Sequence, residues 1–353
     1  MHEAMFYERL PGNSVRCRLC HQQCVIADRH HGLCGVRENH GGTLYSANYG
    51  LVIAAHVDPI EKKPLFHFYP GSRAFSVATA GCNFRCAFCQ NWDISQASKG
   101  ENRFIGGQYT EPRAAVEAAL RTSSRVIAFT YTEPTVFYEW ALDVAQAANE
   151  KDLKTAFVTN GYITADPLDS IRPFLHAANV DLKAFRDESY RRVMGATLQP
   201  VLDTLIRMKR LGIWVEVTTL VVTELNDSED ELRNIARFIS GELGAETPWH
   251  VSRFHPDFRY VEVPPTDPRA LRRAYELGRE EGLHYVYVGN LPGTEGESTR
   301  CHRCGNLLVN RIGFHVVQNR IAAGSTCPQC GERVAGVGME GASPRADSSV
   351  GTR

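Results

Sequence analysis

"AFSVATAGCNFRCAFCQ", residues 74–90, decides how the chain is read. Its first seven residues are small and apolar without alternation, as a strand buried on both faces requires. Cys82, Cys86 and Cys89 then follow as C-x3-C-x2-C. Thiols set this close, in a chain with no other sign of secretion, read as metal ligation, because one ion or cluster collects them from a tight loop. A four-iron cluster takes four ligands, and four thiolates close it. Three leave one iron open to a small molecule, just as a catalytic zinc keeps a position that a structural zinc lacks. A zinc reading of this loop needs a fourth protein ligand, for which His67 or a distant cysteine is the candidate.

Outward from the loop, short apolar runs alternate with amphipathic stretches. The runs are RVIAFT (125–130), KTAFVT (154–159), ANVDLKA (178–184), IWVEVTTLVV (213–222), WHVSRF (249–254) and HYVYVG (284–289). Helical periodicity predicts helices near 111–122, 136–150, 165–175, 200–211, 228–240 and 268–281. This repetition predicts an α/β fold built as a partial (βα)6 TIM-like barrel. A doubly wound sheet is the alternative, because strand order is not written in the pattern. Both arrangements put chemistry at the carboxyl ends of the strands. Polar residues collect there: Thr79, TYTEP (130–134), TNG (159–161), DLK (181–183), RFHP (253–256) and GNLPG (289–293). Caps and turns attract the same residue types, so it is their recurrence at successive strand ends that carries weight. Before the first run, residues 41–72 are rich in Gly, Pro and aromatics and predict short strands with a turn at Asp58-Pro59.

The chain has 353 residues, enough for one large domain plus appendages. Its 39 basic and 40 acidic residues leave a net charge of -1, which gives no sequence-independent grip on a phosphate backbone or an anionic membrane. No stretch of 18 apolar residues occurs, and a soluble cytoplasmic protein is expected. The eleven cysteines divide as four, three and four. Cys301, Cys304, Cys327 and Cys330 form two C-x-x-C-G knuckles 22 residues apart, the spacing of a zinc ribbon. Cys17, Cys20, Cys24 and Cys34 match neither a ferredoxin run nor paired knuckles. Zinc is the preferred reading there and an auxiliary iron-sulfur cluster the alternative, with His21, His30 or His31 able to replace a cysteine. The expected division is a metal-binding segment at 1–45, the barrel at 46–295, the ribbon at 296–338 and a disordered tail at 339–353.

"DPIEKKPLFHFYPGS", "TAGCNFRCAFCQNWDISQ", "YTEPTVFYEW", "TNGY", "DLKAF", "VSRFHP" and "YVGN" together resemble the radical S-adenosylmethionine (SAM) component of the AmmeMemoRadiSam three-protein system. More distantly they resemble activating enzymes of glycyl radical enzymes such as pyruvate formate-lyase. The resemblance implies a [4Fe-4S] cluster on Cys82, Cys86 and Cys89, with Phe88 before the last ligand, and SAM chelating the open iron. It also implies a flavodoxin- or ferredoxin-type reductant, a 5'-deoxyadenosyl radical that abstracts hydrogen from a substrate, and AMMECR-like and Memo-like partners. Activating enzymes carry Gly-Gly-Glu-Pro where this chain has Thr132-Glu133-Pro134, so the SAM-amino role passes to Glu133. Asp181 and Lys183 match an Asp-x-Lys that lies beside the SAM carboxylate. Asn160 and Gly161 are expected at the ribose or methionine end, His250 or Arg253 along the site wall, and Asn290 at the adenine. The alternatives are an activase that takes hydrogen from a glycine of a separate enzyme, and a non-catalytic metal-bearing scaffold or electron carrier.

Overall fold

Apolar runs that lack alternation become strands covered on both sides. The computed structural model, which describes residues 1–291 and 295–341, has β1 (Leu51–Pro59), β2 (Arg73–Thr79), β3 (Val126–Phe129), β4 (Lys154–Thr159), β5 (Ala177–Asp181), β6 (Trp214–Val221), β7 (Trp249–Arg253) and β8 (Val286–Gly289) in its largest sheet. From β3 to β8 each strand pairs in parallel with the one before it. The connecting helices are α1 (Pro112–Arg121), α2 (Tyr138–Asn149), α3 (Ala165–Ile171), α4 (Gln199–Arg210), α5 (Glu229–Phe238) and α6 (Pro268–Glu280). Local signals set their starts. Ser228 caps α5 by accepting from the Glu231 N–H, and Asp267 caps α6 ahead of Pro268 at its first position.

Strand order decides between the two predicted architectures. A doubly wound sheet reverses its order at a switch point, whereas here the order runs monotonically. Right-handed crossovers then place every helix on one face, which is the barrel arrangement. The sheet stays open, with β8 at one edge and the short strand Gln108–Tyr109, paired to β1, at the other.

The face away from the helices is filled at its amino-terminal end. Ala74, Ala128, Ala156 and Ala177 are small enough for Ile60, Leu65 and Phe68 to pack against them. Phe66, Tyr285 and Tyr287 join this plug to the ribbon core. The carboxyl end of the same face is left for a site.

Several expectations are corrected. Asp58-Pro59 is not a turn but the end of β1, which runs antiparallel to β2 with Val57 opposite Phe75. Pro59 is tolerated as the last residue of that strand. Met339 is fully buried in the ribbon core and Gly341 donates to the Ile321 carbonyl, so the ribbon runs past 338. The remaining expected tail, 342–353, and Pro292 and Gly293 of GNLPG lie outside the described residues.

The ribbon is an antiparallel sheet of Thr299–Arg300, Leu307–Ile312 and His315–Asn319. Two small antiparallel sheets precede β1, one of them made by Tyr7–Leu10, Ser14–Cys17 and Val25–Ile26. His21 donates its backbone N–H to the Tyr162 carbonyl, and Thr164 to that of Leu19, which fixes the N-terminal cysteines beside the end of β4. Arg37 grips Glu139 of α2 through both terminal nitrogens, at 2.6 and 2.7 Å, with both side chains buried. Among the described residues no helix is long and apolar enough to cross a membrane.

Candidate active site

The chain leaves β2 through Gly81, whose φ of +109° and close approach to Val36 leave no room for a Cβ. It then forms the three-cysteine loop. Cys82, Cys86 and Cys89 line a cavity of about 390 Å³ at the carboxyl ends of β2 to β7, together with Phe88, Glu133, Asn160, Asp181 and Lys183. Burial pushes the Cys86 thiol up to about 11 and raises that of Cys82 as well. Thiols so reluctant to ionise are poor free nucleophiles, and a bound metal is what turns such groups into thiolates.

Glu133, at the end of β3, is buried and accepts four hydrogen bonds. Its Oε1 takes the Thr135 N–H and the hydroxyls of Thr135 and Thr159, at 3.0, 2.6 and 2.7 Å. Its Oε2 takes the Asn160 N–H alone, at 2.8 Å, and keeps accepting capacity. Burial raises its pKa, against the pull of these donors. Asn160 sends its side-chain amide to the Asn83 carbonyl oxygen Oδ1 at 2.7 Å, tying the end of β4 to the cysteine loop. At the end of β5, Lys183 Nζ lies 2.7 Å from Asp181. Burial works against the Lys183 charge, but the carboxylate of Asp181 outweighs it and holds the ammonium protonated.

Residues without an expected role complete the wall. Lys62, Lys63 and Tyr131 line the cavity. Lys63 lies 2.7 Å from Asp58 and 4.3 Å from the centre of the Tyr131 ring, and Tyr131 donates its hydroxyl to Asp58 at 2.6 Å. Tyr131 holds a φ of +64°, which the Asp58 bond and the Asn91 amide on its carbonyl stabilise. In the sequence Tyr131 stands in the strand-end segment TYTEP and the lysines follow Asp58-Pro59, and their meeting is a tertiary contact.

Other expected residues stand elsewhere. His250 is buried against Glu216, at 2.7 Å, with Phe66 edge-on to its ring, so it faces the plug and not the cavity. Gly161 packs against Val180 at a φ of +71°, a structural glycine. Arg253 and Asn290 line a neighbouring groove of about 1050 Å³, bounded by Ile312 and Phe314 of the ribbon hairpin, which shares Gln90 with the cavity. His67 cannot serve as a ligand at the loop, because its two ring nitrogens engage Ala335 and Tyr287 at the plug.

Residues 76–239 match the Radical SAM superfamily. An uncharacterised protein of Methanocaldococcus jannaschii is 48% identical over 95% of this chain and 99% of its own length. This chain belongs to the radical SAM superfamily. The pyruvate formate-lyase-activating enzyme of Clostridium pasteurianum is 23% identical over 50% of this chain and 73% of its own. A solved radical SAM methyltransferase from Sphaerobacter thermophilus matches 63% of this chain and 67% of that chain, at 18% identity and a TM-score of 0.49.

Membership in the radical SAM superfamily makes the chain an enzyme and sets aside the scaffold reading. It also implies a [4Fe-4S] cluster and SAM, and the residues fit both. Three thiols, that of Cys86 buried and those of Cys82 and Cys89 partly so, share one cavity, and the ammonium groups of Lys62, Lys63 and Lys183 around it complement a carboxylate ligand. In the ribbon, Cys301 and Cys330 Sγ lie 3.6 Å apart and Cys304 and Cys327 Sγ 3.7 Å apart. One tetrahedral ion held at ~2.3 Å by four thiolates gives about this spacing. The four N-terminal cysteines surround a separate small void with Arg37 and Asn83. None of His21, His30 and His31 lines it. The rings of His30 and His31 engage the Asp28 and Gly32 carbonyls, and that of His21 sits edge-on to Tyr162.

Proposed function

We propose that this chain binds SAM at a [4Fe-4S] cluster held by Cys82, Cys86 and Cys89, and removes hydrogen from a substrate that reaches the cavity past Gln90. The cavity that joins these thiols to Lys183, Glu133 and Asn160 carries the proposal. The bound cluster supplies the electron that cleaves SAM and so generates the 5'-deoxyadenosyl radical. Lys183 binds the SAM carboxylate, and Asp181 holds its ammonium in place. Glu133 fixes Asn160 through Oε2 and accepts from the SAM ammonium with the same oxygen. Phe88, buried beside the last ligand, keeps water from the loop. We place zinc in the ribbon as a closed, structural ion. The units are then 1–45, 46–295 and 296–341. The cytoplasm suits a chain whose eleven cysteines are all free of disulfides.

The partners we propose are AMMECR-like and Memo-like proteins and a flavodoxin- or ferredoxin-type reductant. The resemblance of DPIEKK, YTEPTVFYEW and VSRFHP to the AmmeMemoRadiSam component supports this. The similarity to named activating enzymes favours a second reading, activation of a glycyl radical enzyme. The N-terminal segment and the ribbon, both outside the matched residues 76–239, argue for the dedicated assembly.

The test is 5'-deoxyadenosine formation from SAM under dithionite, with Cys86→Ala as control. Product from the wild type alone is expected. A cluster-loaded wild type that neither binds SAM nor forms product, alone or with both partners, overturns the reading. A carbon-centred radical on an added glycyl radical enzyme would favour the activase.

A further inference from the structure

Two four-cysteine groups in one chain differ in spacing. In the ribbon all four sulfurs lie within 4.8 Å of one another, the packing of a single ion. Among the described residues, no three of Cys17, Cys20, Cys24 and Cys34 come together in that way. They stand instead around a void of about 20 Å³. Thiolates on one zinc are about 3.8 Å apart and nearly touch, which leaves no void of that size between them. A cubane core sits between its thiolates and holds them further apart than one ion does.

The lining of the void points the same way. Arg37 is 1% exposed and lines the void, and its Nε has no hydrogen-bond partner although its other two nitrogens hold Glu139. Asn83 is 2% exposed and also lines the void, and its Nδ2 is likewise without a partner. Two buried donors left unpaired at one void require an acceptor that fills it. The bridging sulfides of a cluster are such acceptors, and they face outward between the thiolates. Backbone N–H groups already serve the thiols, as Leu33 does for Cys24 at 3.4 Å.

The geometry points to a second [4Fe-4S] cluster ligated by Cys17, Cys20, Cys24 and Cys34, set beside the SAM-binding loop as its electron-transfer neighbour. Gln22, between two of these ligands, donates to the Asn83 carbonyl at 3.0 Å, and Asn83 adjoins Cys82. Ser98 donates its hydroxyl to the Cys34 carbonyl at 2.7 Å, and Lys99 next to it donates its ammonium to the Phe84 carbonyl inside the cysteine loop. One electron from a low-potential flavodoxin- or ferredoxin-type donor takes the N-terminal cluster from the 2+ to the 1+ state. Passing that electron on returns it to 2+ and takes the loop cluster from 2+ to 1+.

Iron, labile sulfide and zinc are counted on the full chain purified without oxygen, and on the Cys82→Ala/Cys86→Ala/Cys89→Ala variant. The wild type is expected to hold about eight irons, about eight sulfides and one zinc, and the variant about four irons. Spin-spin broadening is expected in the EPR spectrum of the doubly reduced wild type and not in that of the variant. About four irons in the wild type with none in the variant overturns the second cluster while leaving the SAM site intact. About four irons in both keeps the N-terminal cluster and removes the loop cluster on which the proposed function rests. Eight irons without broadening refutes the electron-transfer pairing.

Discussion

Replacing Lys183 with methionine removes the ammonium and keeps the stem. Its side chain is 15% exposed and one of its three N–H groups is committed to Asp181 at 2.7 Å, which leaves two donors for a ligand. A hydrogen bond between charged groups contributes about 1.5–3 kcal/mol, so losing one weakens SAM binding about 10- to 150-fold. Asp181 would then face the SAM carboxylate. At 33% exposure that repulsion is screened by solvent, and the lower half of the range is the expected outcome. The assay is equilibrium titration of SAM into cluster-loaded protein, read by EPR of the reduced cluster, with iron content measured on the same sample. Arginine at this position is expected to restore little, because a planar guanidinium does not occupy the place of a compact ammonium. Full iron content with a dissociation constant within about twofold of wild type would refute the assignment of Lys183 to SAM.

Two further outcomes follow from the packing. His67 is held at about 4 by burial, against 6.5 for the free ring. The Ala335 carbonyl can only accept, so Nδ1 carries the proton and Nε2 accepts from the Tyr287 hydroxyl, which satisfies the neutral ring. Between those two values the unfolded chain binds a proton that the folded chain refuses, so stability falls by about 3 kcal/mol as the pH drops from 6.5 to 4. Denaturant unfolding across that window, compared with His67→Gln, should show a flatter slope in the variant, and equal slopes would count against it. Gly81→Ala should cost about 1–3 kcal/mol and lower the iron content, because its φ of +109° and the Val36 side chain 2.9 Å from the new carbon leave no relaxed position. Wild-type stability and iron in that variant would contradict the account.

The strands of the parallel sheet were legible because each is buried on both faces, and KTAFVT at 154–159 coincides with β4 residue for residue. β1 was not, since a strand covered on its outer side only at Leu51 and Val52, with His56 and Val57 exposed and a proline at its end, carries mixed signals. Strand order lay outside the pattern altogether, because both candidate architectures require the same apolar runs. The cysteine loop was legible in its C-x3-C-x2-C spacing, whereas Glu133, Asn160, Asp181 and Lys183 took their expected roles from the family resemblance, and strand-end position says only that such residues lie near a barrel mouth, where they share one cavity. Strand position does not say which neighbour claims a side chain. His250 was misplaced for that reason, since Glu216 on the adjacent strand takes its ring. Asp58, Lys63 and Tyr131 meet across about seventy residues of chain, a distance that periodicity does not span.

Glu61 and Arg311 are both fully buried and pair at 3.4 Å, and Phe68 bridges to Val337 nearby. During synthesis the acid leaves the ribosome some 250 residues before its cation. Until then the plug carries a carboxylate that has no cation to shield it from the apolar cavity it must enter. Closure of the plug is therefore expected to wait for the ribbon, after the strands that form the mouth have been synthesised. A ribosome-bound chain stopped before Arg311 would be protease-sensitive at residues 60–69, whereas a finished chain would resist.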